Sequence, residues 1–159
     1  MRTAMYCFLI FFFATASFAG DVAASADGKK VKCPVCGMFV APYVDWNATI
    51  TFIDSTTAVF DGSKDMFKYY LDMKKYNSAQ SRERITAITV KDYYTKEDTD
   101  ALKAYYVIWG DVYGPMGNEP IPLQNEADAR KFLNEHHGKK VLRFKDITLK
   151  LLHELDNPE

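Results

Sequence analysis

The run Cys33-Pro34-Val35-Cys36-Gly37-Met38 places two thiols and a thioether within six residues. Sulfur donors are soft, and soft donors select Cu(I) over harder ions. In an extended backbone, side chains two apart point to the same side, so Cys36 and Met38 could meet one ion, and Gly37 between them adds no bulk. A helix would splay them apart. The spacing favours a small metal site over a packing cluster, with further ligands supplied from elsewhere in the chain.

Those ligands must be positioned by the elements that follow. Thr49 to Ile53 alternates polar and apolar like a half-buried strand, and Ala58-Val59-Phe60 returns as a second. A helix is expected next, with Ser63 as its N-cap, a stripe of Met66, Phe67, Tyr70 and Leu71, and Lys64, Lys68, Asp72 and Lys75 on the opposite, solvated face. A strand over Ile85 to Val90 closes the unit. The order then recurs: strand Tyr105 to Trp109, a Gly/Pro loop, short strand Pro120 to Leu123, a helix opening at Asn125, and strand Val141 to Phe144. Asn125 is expected to cap that helix and Gly138 to end it in the left-handed conformation. Ile147 to Leu155 reads as a short final helix. The fold class is α+β, as two β-β-α-β units that pack together because neither is large enough alone. The expected divisions are a signal at 1–19, a flexible leader at 20–30, and units at 31–98 and 99–159.

The halves differ at one point. The opening strands of the first unit are joined by a short turn, those of the second by Gly110 to Asn118. Enlarged loops on regular scaffolds commonly carry function. Met116, held between Pro115 and Gly117 with little core to fill, is the leading remote third sulfur ligand.

Composition narrows the setting. Arg2, the apolar run Tyr6 to Phe13 and the Ser17-Phe18-Ala19 site read as an export signal, whose removal takes 19 of 159 residues and leaves 140. Arg2 is the only charge lost, so 19 basic side chains face 21 acidic ones, a balance that does not favour nucleic acid as a partner. Cys33 and Cys36 are the two cysteines left, the right number for a site or one local bridge. A structural disulfide is one competing reading. A thiol-disulfide oxidoreductase using Cys33 and Cys36 is another, but such a pair normally follows a strand and opens a helix, and Gly37 stands where that helix would run. A metal-free interaction module is the third. A structural zinc site wants four ligands at the usual Cys/His spacings, which this chain with its three histidines does not show; His136, His137 and His153 are expected to be structural or surface. Met66, Met73, Trp46 and Trp109 are expected in the core. Asp61 could cap the following helix or support a metal, and Asp111 and Glu119, which flank the Met116 loop, could join it.

With these residues in view the chain resembles the NosL family, exported Cu(I) chaperones for nitrous oxide reductase assembly. The resemblance rests on Cys36-Gly37-Met38, Phe60-Asp61-Gly62, Tyr113-Gly114-Pro115-Met116-Gly117 and Gly138 to Phe144 in that order. It implies paired β-β-α-β units and Cu(I) bound by Cys36, Met38 and Met116. Members commonly show a single motif cysteine; Cys33 departs from that pattern and could be a fourth ligand, a resolving thiol that gates binding, or an entry ligand for incoming copper. It also implies a periplasmic location, no catalytic role, and a recipient that is the nitrous oxide reductase apoprotein or its membrane maturation machinery. Many members are lipid-anchored through the first mature cysteine. Cys7 lies inside the signal, directly after Tyr6 at the start of the apolar run, so no lipid anchor is evident.

Overall fold

The computed structural model describes residues 30–158; the expected export signal and, apart from Lys30, the expected leader lie outside the described residues. The first sheet is built on β1 (Ala48–Phe52), which buries Ala48, Ile50 and Phe52 and leaves the two intervening threonines half-exposed. This is the period of two that its sequence carries. It pairs antiparallel with β2 (Thr57–Phe60) and β3 (Ile85–Lys91), so that Ile50 faces Ala58 on one side and Ile88 on the other. A further short strand, β4 (Asp98–Asp100), extends the sheet beyond β3. It runs through the expected boundary between residues 98 and 99, so the first sheet ends two residues later.

The second sheet repeats the arrangement around β5 (Tyr105–Ile108). Between β5 and its partner the chain forms a small hairpin, β6 (Tyr113–Gly114) and β7 (Gly117–Asn118), with Pro115 and Met116 at its tip and Gly117 at φ +80°. β8 (Ile121–Leu123) then pairs with one edge of β5 and β9 (Lys140–Arg143) with the other. In both sheets the opening strand is central, flanked by the second strand and by the strand after the helix. The protein is therefore two β-β-α-β units in an α+β fold. No helix among the described residues is long and apolar enough to cross a membrane.

Helix α1 (Ser63–Leu71) is the hub. Ser63, Lys64, Asp65, Met66, Phe67 and Tyr69 are all buried, as expected of a helix covered on more than one side. The Phe67 ring meets Tyr106 of β5 at 5.0 Å and Phe144 at 4.9 Å, joining the two units in one core. β5 is buried on both faces, with Tyr106 and Ile108 in that shared core and Val107 in a second cluster with Ile121, Leu123, Ala129 and Phe132. Phe67 is fully buried. Phe67→Ala is expected to cost about 3–5 kcal/mol, seen as a lower urea midpoint with unchanged slope.

Several local expectations change. Ser63 is not the N-cap of α1; Gly62 occupies that position with extended backbone, and Ser63 is the first helical residue. Lys64, expected on the solvated face, is fully buried, because α4 (Leu149–Asp156) covers it and Asp156 pairs with its ammonium at 2.9 Å. The helix breaks at Asp72 and resumes as the short α2 (Met73–Tyr76). In the second unit, Asn125 caps α3 (Glu126–Glu135) by accepting from the Asp128 N–H at 2.9 Å, as expected. At the other end His137, not Gly138, takes the left-handed conformation at φ +53°. Gly138 serves a different purpose: a Cβ there would lie 2.5 Å from Val107, so only glycine lets the helix end close on β5. Met66 and Met73 are buried in the core, whereas Trp46 and Trp109 are half-buried at its margin.

Candidate metal centre

Residues 32–39 form a tight hairpin that precedes the first sheet. Lys32 and Phe39 are bridged, the Cys33 N–H donates to the Met38 carbonyl at 2.8 Å, and the Gly37 N–H donates to the Cys33 carbonyl at 2.9 Å. Gly37 sits at φ +80°, a conformation that side-chain-bearing residues rarely adopt. The extended reading of Cys36-Gly37-Met38 is thus replaced by a turn. The turn, rather than strand alternation, brings the Cys33 and Cys36 thiols to one side.

Across from them stands the N-terminal end of α1. Cys33 is buried, and its Sγ donates to Asp65 Oδ2 at 3.3 Å; the half-buried Cys36 Sγ is 3.5 Å from both Asp61 carboxylate oxygens. One ligand atom from each of Cys33, Cys36, Asp61 and Asp65 lies within 4.8 Å of the others, and both aspartates are fully buried. Four acidic groups confined to so small a space repel one another when ionised. Burial pushes the Cys33 thiol well above the usual range, the neighbouring carboxylates add to this, and the Cys36 and Val35 N–H groups oppose it. Burial likewise pushes Cys36 up to about 11, with the Met38 N–H opposing. Asp65 is raised by burial and by the Asp61 charge, against hydrogen bonds from the thiols. Asp65 Oδ1 makes no hydrogen bond and has the Lys68 ammonium only at 3.9 Å.

A buried carboxylate that meets a thiol through one oxygen and has no donor on the other is an environment a cation can complete. The thiols suit a soft ion, and the carboxylates add harder oxygen donors. Among the described residues this cluster is the group of cysteine, histidine and carboxylate side chains that could hold a metal.

The structure brings Cys33 and Cys36 together. Met38, half-buried, accepts from Cys33 through its carbonyl within the same hairpin. Met116 is also half-buried, at the tip of the β6–β7 hairpin, with its N–H directed to Glu119 Oε1 at 3.4 Å and its carbonyl accepting from the Lys64 ammonium. Its backbone therefore docks on the helical turn that carries Asp65. Glu119 points inward, fully buried; burial pushes its carboxyl up to about 7, while the Lys64 N–H and ammonium act the other way. Asp111 instead faces His136 at 3.0 Å, on the far side of the loop. Sequence reasoning weighed Asp61 but missed Asp65. The available signal was their separation of four residues across a helix start, which puts both on one face.

The sequence matches the NosL family model over residues 25–152. No curated protein matches it. The copper chaperone NosL from Shewanella denitrificans, known from a crystal structure, shares the fold with a TM-score of 0.65 at 20% identity, over 80% of this chain and 96% of that one. The apo-NosL protein from Achromobacter cycloclastes, solved by NMR, aligns with a TM-score of 0.46 at 25% identity, over 66% of this chain and 87% of that one. With a family match spanning most of its length, the chain belongs to the NosL family.

Proposed function

We propose that this protein is a periplasmic Cu(I) metallochaperone that delivers copper for nitrous oxide reductase maturation, to the apoprotein or to its membrane machinery. The observation that carries the reading is the convergence of Cys33, Cys36, Asp61 and Asp65 in a chain of this family. Cu(I) is the cargo. Cys36 and Met38, both half-buried, are the sulfur donors offered by the hairpin, and Met116 is contributed from the second unit. Two-to-three-coordinate sulfur ligation leaves room for a recipient's ligand to enter before a donor leaves, so transfer needs docking and no catalysis. Dithiol exchange is the weaker reading, because nucleophilic cysteines are those with lowered pKa and burial here raises both thiols.

Anaerobic titration of the reduced protein against a chromophoric Cu(I) chelator tests this. One Cu(I) per chain is expected, with competition lost in Cys36→Ser. Failure of the wild type to compete, or undiminished competition by Cys36→Ser, would remove the copper reading. Mixing the loaded protein with copper-free nitrous oxide reductase, and following the copper after separation, tests the recipient.

A further inference from the structure

We infer that Glu119, acting with Lys64, is the positioning residue that presents Met116 to the cysteine cluster. This rests on the copper reading above, in which Met116 is a ligand.

The starting point is an uncapped helix. Gly62 at the N-cap of α1 has no side chain with which to satisfy the first free N–H groups. The acceptor comes from the other unit. Glu119 Oε2 receives the Lys64 N–H at 2.7 Å and the Ser63 hydroxyl at 3.2 Å, so a carboxylate 55 residues away in sequence sits at the positive end of the helix. Its second oxygen, Oε1, receives the Met116 N–H at 3.4 Å. On the opposite side of the same residue, the Met116 carbonyl accepts from the Lys64 ammonium, which Asp156 also holds at 2.9 Å. Glu119 and Lys64 are both fully buried. The peptide groups either side of the Met116 Cα are thus gripped by a buried carboxyl group and a buried ammonium, both anchored on α1. The next residue of that helix, Asp65, is the one that holds Cys33.

Two glycines keep space for the clamp. A Cβ at Gly62 would lie 2.7 Å from Glu119 Oε1, and one at Gly114 would overlap Glu119 Cγ and press on Trp46. Neither has a φ in the left-handed region. Their smallness therefore serves the close approach of the carboxylate, not a turn. A loop that merely connected β5 to β8 would need none of this.

The test is a double-mutant cycle read by Cu(I) competition and by the sulfur coordination number from copper X-ray absorption. Glu119→Gln keeps the size of the side chain but turns an NH2 toward N–H donors on one of its two sides, the Met116 side or the Lys64 side. It is expected to weaken Cu(I) binding about ten-fold and to lower the sulfur count by one. In a Met116→Ala background the same substitution should leave affinity within about two-fold, since the ligand it positions is gone. An equal loss in both backgrounds, or an unchanged sulfur count, would overturn the inference and reduce Glu119 to a purely structural residue. Cu(I) binding that is undiminished in Cys36→Ser would instead sink the copper reading itself. Should Glu119→Gln not fold, Lys64→Met removes the clamp from its other side and is expected to give the same pattern. Hydrogen exchange of the metal-free Glu119→Gln protein gives a copper-independent readout: amides 114–118 should exchange faster while those of β1 and β5 do not, and unchanged exchange would count against the clamp.

Discussion

Oxidation of the metal-free protein is expected to abolish Cu(I) binding outright. The Cys33 and Cys36 sulfurs belong to a group of ligand atoms lying within 4.8 Å of one another, both thiols are free, and the turn between them is closed by backbone hydrogen bonds. A dithiol oxidant such as diamide should therefore join them, taking two electrons and two protons from the pair. A sulfur in that bridge is no longer a thiolate and cannot hold the metal. Cys33→Ser should retain Cu(I) binding through the same oxidant treatment, because Cys36 then has no neighbour to pair with. Competition titration of both proteins before and after diamide measures this. Full-strength binding by the oxidised wild type would show that the thiols are dispensable.

The second large effect is on pH. Cys36 is pushed up to about 11 and Cys33 further, by burial first and then by the carboxylates around them, so both carry protons at neutral pH. Cu(I) must displace a proton from every thiol it binds. Apparent affinity is then expected to rise with pH by about ten-fold per unit for one thiol and about a hundred-fold per unit for two. An exposed thiol would reach its plateau near an ordinary pKa of about 8.5. Here the rise should continue through pH 9, the Cys36 contribution levelling off only toward 11 and any Cys33 contribution persisting beyond it. The groups facing the thiols are Asp61 and Asp65, with Lys68 beyond Asp65; Asp65 is itself raised, so the acidic limb should steepen where its proton must also leave. Competition against a chelator of known proton affinity gives the slope directly. Above that acidic limb, a slope of two places Cys33 among the ligands, a slope of one leaves it outside, and a flat profile excludes thiolate ligation.

Much of this protein was legible one segment at a time. The alternation in Thr49 to Ile53, the stripe on the first helix and Asn125 as a cap are local properties, governed by backbone period and by hydrogen bonds spanning three or four residues. The same locality explains the misplacements. Ser63 has the right chemistry for a cap, but its hydroxyl is drawn to Glu119 and the Pro120 carbonyl, groups that no local pattern contains. Gly138 has the right chemistry for a left-handed stop, yet its lack of a side chain is used against Val107.

The sequence by itself determined the paired β-β-α-β order, the sulfur motif and the enlarged loop bearing Met116, because periodicity, turn residues and ligand types are written in adjacent positions. Tertiary structure decided which charges are buried. Lys64 reads as a solvated charge, Glu119 as no more than a flank of the Met116 loop, and Asp65 draws no reading, until α4 and the β6–β7 hairpin close over the first turn of α1 and the cysteine hairpin closes from the other side. A charged side chain looks the same in sequence whether water or protein surrounds it. The free-energy cost of burying it, and hence the partners it must have, arises only from elements brought together over tens of residues.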